Sequence, residues 1–185
     1  MEPHRSLTSD IVIRPATPAD AGTISGIRVA GWQAAYRGLL DDQLLDQLSG
    51  ERDLPRWRAH LESPPPGHHG FVAEREGRAV GFATCGPTRD RDEPEGVGEL
   101  YAIYVEPPAI GTGVGMALLQ RVMRTLREDG YAEAMLWVLE SNQRGHAFYQ
   151  AAGWRTDGGF KRDQMDGFDL REVRYRYRFD REQRT

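Results

Sequence analysis

One cysteine in 185 residues leaves no partner for an internal disulfide. Such sparing use of thiols fits a reducing compartment. Cys85 itself stands in Gly81-Phe-Ala-Thr-Cys-Gly86, which reads as a buried strand where a free thiol packs as a small hydrophobe. Lysine is nearly absent, Lys161 being the only one. Excess basic charge is absent too: 24 Lys and Arg against 28 Asp and Glu leave a net charge of -4, which argues against nucleic acid as a bulk electrostatic partner. No uninterrupted apolar run is long enough to span a bilayer, and Met1-Glu-Pro-His-Arg-Ser6 lacks the apolar core of a signal peptide. A soluble, cytoplasmic protein working away from membranes is expected. His68 and His69 are adjacent, but no Cys, Asp or Glu stands at ligand spacing beside them, so no metal is expected.

What is present suffices for a sizeable core: 39% of residues are hydrophobic, and the length suits one domain. Residues 1–10 read as a flexible leader, 11–179 as the domain and 180–185 as a tail. No internal repeat or linker divides the chain.

The chain is organised around residues 98–119. Leu100 to Val105 form an apolar run of strand length, in which Tyr101, Ile103 and Val105 alternate with Leu100, Ala102 and Tyr104. Pro107 and Pro108 end it, since neither can donate to a ladder. Gly111, Gly113 and Gly115 then lead into a helix whose Val114, Leu118 and Val122 share a face with Leu119 and Leu126. Glycines let several backbone N–H groups approach one oxyanion, and a helix N-terminus adds unpaired donors and a positive dipole end. Strand, glycine loop and helix start together make a diphosphate cradle.

Other elements are simpler. Ile11–Ile13 is a short strand, and Thr17-Pro18-Ala-Asp20 opens a helix that carries Ile24, Ile27 and Val29 toward Trp32 and Tyr36. Helices follow over 39–48 and 52–61. Ser63 to Gly70 is a loop, and 71–73 and 79–84 pair around Glu76-Gly77. Residues 89–96 read as a solvated charged loop. After Gly130 comes the apolar run Ala134 to Leu139, and Ser141-Asn142 opens a helix through Phe148-Tyr149. Residues 157–169 read as an extended connection with one short strand. In the last strand Val173, Tyr175, Tyr177 and Phe179 alternate with Arg174, Arg176 and Arg178, so the arginines should face water.

Val105-Glu-Pro107 with Gly111-Thr-Gly113-Val-Gly115, followed by Asn142…Phe148-Tyr149…Gly153-Trp154, resembles the two motifs of the GNAT superfamily of acetyl-CoA-dependent N-acetyltransferases. The match is good over 98–155 and extends loosely, by element order, over 11–179. Two departures stand out. Ile110 occupies the place of an Arg or Gln that contacts the diphosphate, and Gly145 that of a small residue, usually Ala.

The resemblance implies an α/β (mixed α+β) fold. Its mostly antiparallel sheet of six to seven strands is flanked by four to five helices and splays at one parallel strand pair. It implies acetyl transfer from acetyl-CoA to a primary amine of a small molecule or peptide by direct attack. Cofactor contacts map onto Ile103, Tyr104 and Val105, onto the loop Ile110, Gly111, Thr112, Gly113, Val114, Gly115 and Met116, and onto Asn142. The Thr112 hydroxyl would add to the diphosphate contacts. Tyr149 matches the tyrosine that protonates the departing thiolate. Glu99, whose pKa partial burial would raise, is the candidate base acting through water, with Glu106 behind it. Trp32, Tyr36 and Tyr101 would wall the acceptor site, and an acidic protein suits a cationic acceptor. A homodimer is compatible with the resemblance.

Two other readings remain open. The same fold could bind acyl-CoA without catalysis, as a sensor. A dinucleotide-binding oxidoreductase also begins with strand, glycines and helix, but here Met116 stands where its third glycine belongs.

Overall fold

The computed structural model describes residues 11–179, so the expected leader (1–10) and tail (180–185) lie outside the described residues. Seven strands form one sheet in the order β1-β2-β3-β4-β5-β7-β6. They are β1 (Val12–Pro15), β2 (His69–Arg75), β3 (Arg78–Pro87), β4 (Val97–Val105), β5 (Glu133–Leu139), β6 (Arg155–Met165) and β7 (Phe168–Arg178). Five α-helices flank it: α1 (Ala21–Tyr36), α2 (Asp42–Gln47), α3 (Gly50–Glu62), α4 (Val114–Glu128) and α5 (Gln143–Ala151). Every neighbouring pair is antiparallel except β4–β5, which is parallel.

α4 behaves as its pattern predicts. Val114, Leu118, Leu119, Val122 and Leu126 are all fully buried against one face of the sheet. Burying each such side chain contributes roughly 1.5–3 kcal/mol before entropy is counted. α1 and α3 cover part of the other face, where Ile24, Ile27 and Trp57 pack on Val72 and Phe82. At the start of α1, the Thr17 N–H and hydroxyl donate to the Asp20 carboxylate at 2.7 and 2.9 Å, and Arg14 closes on the same group at 2.8 Å.

Three expectations need correction. The first concerns β4. Thr84 pairs with Ala102 but Cys85 with Leu100, so Tyr101 is an extra residue, a β-bulge. It reverses the alternation: Leu100 joins the α4 face with Ile103 and Val105, while Ala102 and Tyr104 face α1. Simple period 2 had placed Leu100 on the opposite face from Ile103 and Val105.

The second concerns residues 157–169, which are mostly strand. β6 and β7 form a long hairpin that turns at Asp166-Gly167, both with positive φ (54° and 86°). Their polar, glycine-rich sequence hid this because β6 is an edge strand with few buried side chains. Asp157, Gly158 and Gly159 bulge out between the Thr156–Tyr175 and Phe160–Val173 pairs. The tip is tied to the helices by buried Arg28, which bonds Asp53 at 2.6 Å and also Asp166.

The third concerns the arginine stripe of β7, which does not simply face water. Glu93, from the loop before β4, lies 2.5 Å from both Arg174 and Arg176, and Asp157 bonds the same two guanidiniums at 2.9 and 2.5 Å. Glu93 thus ties the 89–96 loop to the sheet, while Arg91, Asp92, Pro94, Glu95 and Gly96 stay exposed as expected.

Candidate active site

The parallel β4–β5 ladder runs only from Val97–Glu133 to Leu100–Leu136. Beyond it β4 stays on β3 and β5 stays on β7, so the two strands part and open the sheet. Glu106 N–H bonds Val80 of β3 at 2.9 Å, so strand alternation turns the backbone groups of Val105 and Ile103 toward the opening.

The loop at the end of β4 builds a concave backbone. Pro107–Ala109 form one 3₁₀ turn, Gly111 and Gly113 take φ of 80° and 93°, and α4 starts at Val114. The first main-chain bond into the helix is Ala117 N–H to Gly113 carbonyl at 3.0 Å. The N–H groups of Val114, Gly115 and Met116 are thus unclaimed by the helix and surround its positive end. A Cβ on Gly115 would come within 3.6 Å of the Phe148 ring, so α5 closes one wall of this cradle.

Strand opening and cradle belong to one cleft of about 790 Å³. It is lined by Ile103, Tyr104 and Val105 on β4, by Ile110, Gly111, Gly113, Gly115 and Met116, and by Asn142 and Tyr149 at α5. Trp32, Tyr36, Glu99 and Tyr101 line it as well. An apolar wall beside unpaired backbone donors suits a long ligand ending in phosphates.

Residues 32–154 match the family model described as the acetyltransferase (GNAT) family. The chain belongs to the GNAT acetyltransferase family. It is accordingly an acyltransferase. It is 32% identical over 143 residues to the uncharacterized N-acetyltransferase YuaI of Bacillus subtilis, covering 76% of this chain and 78% of that protein. It is 33% identical over 163 residues to a mycothiol acetyltransferase of a Parafrankia species, covering 79% of this chain and 50% of that longer protein. Among solved structures, yncA of Salmonella typhimurium with its cofactor acetyl-CoA superposes with a TM-score of 0.68, at 20% identity over 94% of this chain and 96% of that one.

Within this GNAT cleft the motif residues take up distinct environments. Tyr149 is buried against Phe148, Trp154 and Tyr175 at ring separations of 5.1, 6.1 and 6.2 Å. Burial, then the neighbouring Tyr104, raise its hydroxyl pKa, so it is protonated at neutral pH. Trp32 Nε1 donates to the Tyr104 hydroxyl at 2.7 Å. Asn142 caps α5, its Oδ1 accepting from Gly145 N–H at 2.9 Å. Gly145 is more than a mild replacement for alanine, because a Cβ there would lie 2.9 Å from Val138 and 2.8 Å from the Asn142 amide.

Two expected roles change. The Thr112 hydroxyl turns away from the cradle and donates to the Ala109 carbonyl at 2.6 Å, joined by its own N–H at 3.4 Å. Satisfying the loop's own carbonyl takes that hydroxyl from any diphosphate. Glu99 is fully rather than partly buried, and Arg89 occupies both its oxygens: backbone N–H to Oε2 at 2.8 Å, Nη2 and Nε to Oε1 at 2.5 and 3.1 Å. Glu106 is held outside the cleft lining by two bonds from Arg78.

The motifs did not point to the far end of the cleft. Arg89, Asp90, Trp137, Lys161, Asp163, Leu170 and Glu172 line it. Asp90 accepts from Trp137 Nε1 at 2.9 Å, and the Arg89 guanidinium lies 4.4 Å over the Tyr101 ring. The one signal available in the sequence was the acid Glu172 two residues beyond the apolar Leu170, on the β7 face that also carries Phe168.

Behind the sheet edge a smaller recess of about 350 Å³ gathers His60, His68 and His69. His69 bonds Asp129 at 2.8 Å and His68 lies 3.3 Å from the Tyr101 hydroxyl. Among the described residues no cluster of His, Cys, Asp or Glu could hold a metal ion, and no helix is long and apolar enough to cross a membrane.

Proposed function

We propose that this GNAT protein transfers the acetyl group of acetyl-CoA to a primary amine of a small molecule or peptide by direct attack, with residues 11–179 acting as one domain. The observation that carries this reading is the single cleft joining the splayed strands, the glycine cradle and the Tyr149 hydroxyl. The diphosphate rests on the N–H groups of Gly111, Gly113, Val114, Gly115 and Met116. Pantetheine runs along Ile103, Tyr104 and Val105, with Ile110 and Asn142 beside it. Backbone donors carry the diphosphate alone at Ile110, where the family's Arg or Gln side chain is missing. The Val105 region polarises the thioester carbonyl, and Tyr149 gives its proton to the departing thiolate.

Trp32, Tyr36 and Tyr101 form the acceptor walls. Glu99, the base that the resemblance implied, lies on β4 with both oxygens held by Arg89. The net charge of -4 favours a cationic acceptor. Mycothiol acetyltransferases among the relatives support the acetyl-transfer reading.

The test is thermal unfolding with acetyl-CoA, CoA, succinyl-CoA and NADH in parallel, followed by CoA release with an amine panel. A ligand at a hundred times its Kd stabilises by about 2.7 kcal/mol, a shift of several degrees for a chain of this size. Stabilisation by acetyl-CoA with amine-dependent CoA release is the expected result. Stabilisation without turnover would make the protein an acyl-CoA sensor, and a response to NADH alone would overturn the reading.

A further inference from the structure

Glu172 occupies the acceptor end of the cleft on β7, opposite Leu139 of β5 on one side and Lys161 of β6 on the other. Its side chain is 17% exposed and forms an ion pair with Lys161 Nζ at 3.6 Å, looser than the bonds that hold Glu99. Asp163 lies on the same β6 face, and Tyr36 of α1 and Tyr104 of β4 are close enough to feel the carboxylate's charge. Glu99 differs sharply: it is sealed from solvent and bonded three times by one arginine. Lysine 161 is further drawn aside, its Nζ lying 4.6 Å over the Trp137 ring. Of the two glutamates lining the cleft, Glu99 is saturated by hydrogen bonds, whereas Glu172 has only the 3.6 Å ion pair with Lys161, which an incoming ammonium can displace.

We propose that Glu172 receives the acceptor's ammonium and takes its proton, and that the acceptor is an aliphatic amine carrying a positive charge at neutral pH. This rests on the acetyl-transfer reading above. The carboxylate of Glu172 removes one proton from R–NH3⁺, and the freed lone pair forms the C–N bond at the thioester carbonyl. The C–S bond breaks, the thiolate takes the Tyr149 proton, and the tyrosinate takes the second proton from nitrogen. One proton is left on Glu172 and leaves to solvent, which balances the reaction. Burial, opposed by Lys161 and reinforced by Asp163, raises the Glu172 pKa, which suits a base working near neutrality. Arg89 is the other charged group acting on it.

The test compares wild type with E172Q, E172D, E99Q and K161M. In CoA release with 2-phenylethylamine and 1,4-diaminobutane, E172Q lowers kcat/KM at least a hundredfold and loses the acidic limb of the pH profile, while E172D keeps part of both. K161M moves that limb to higher pH, because removing the cation weakens the carboxylate's stabilisation; a merely structural Glu172 would leave it in place. An unchanged limb in E172Q, or its loss in E99Q alone, overturns the proposal. Binding separates the two claims. By calorimetry on protein saturated with CoA, 2-phenylethylamine binds wild type at least tenfold more tightly than E172Q. Equal binding, or none to wild type, overturns the ammonium site. If turnover is absent but that binding difference holds, the acetyl-transfer reading fails while the amine site stands.

Discussion

Arg89 binds Glu99 with its backbone as well as its side chain, so one residue satisfies both oxygens of a carboxylate that is only 1% exposed. Arg89→Gln keeps the backbone bond and removes the guanidinium. The carboxylate then loses its counter-charge in a buried site, which costs about 1–3 kcal/mol. Urea unfolding should show the lowered midpoint at unchanged slope. An unaltered midpoint would mean that water replaces the guanidinium without loss.

The Tyr149 hydroxyl makes no hydrogen bond to another described group, yet it borders the cleft. Tyr149→Phe leaves the ring packing on Phe148 and Trp154 in place, so stability and acetyl-CoA affinity should hold. The rate constant kcat should fall by roughly 10²-fold or more, as expected when a positioned general acid is removed. Unchanged kcat would remove Tyr149 from the acid role.

Gly113 is the N-cap of α4 with φ of 93°, a region that penalises any Cβ. Gly113→Ala should cost about 1–2 kcal/mol of stability and, by displacing the N–H groups of the cradle, weaken acetyl-CoA more than the acceptor. The check is KM for each substrate beside the unfolding midpoint. Equal increases in both KM values would argue against a diphosphate site in this loop.

Asp20 is held at a pKa of about 2, first by its hydrogen bonds from Arg14 and then by those from Thr17, with burial opposing. A carboxylate lowered on folding stabilises the native state above its unfolded value. That contribution is lost as pH falls from about 4 toward 2. It amounts to at most about 2 kcal/mol, and Asp20→Asn should flatten stability across that window. A mutant whose stability still falls as steeply as wild type would assign the acid transition to other carboxylates.

Much of the β4–α4 half of the cleft was legible because its determinants are local. Glycine spacing at 111, 113 and 115, the proline stop and the buried stripe of α4 each act within a few residues. The polarity of β6 misled because edge strands need no apolar alternation, and the arginines of β7 misled because their partners come from a distant loop (Glu93) and from the bulge of β6 (Asp157). The alternation of β4 was read correctly up to Tyr101 and reversed there, since only pairing with β3 creates the bulge.

By itself the sequence determined a strand–glycine–helix unit, an amphipathic α4 and an aromatic α5 motif, because periodicity and backbone permissiveness are properties of neighbouring residues. The tertiary structure decided where β4 and β5 part, which carboxylate is saturated by hydrogen bonds and which has only a loose ion pair. Those outcomes depend on register between strands far apart in the chain. Glu99 and Glu172 are both glutamates on strands, and only the fold sets Arg89 tightly against one and Lys161 at 3.6 Å from the other.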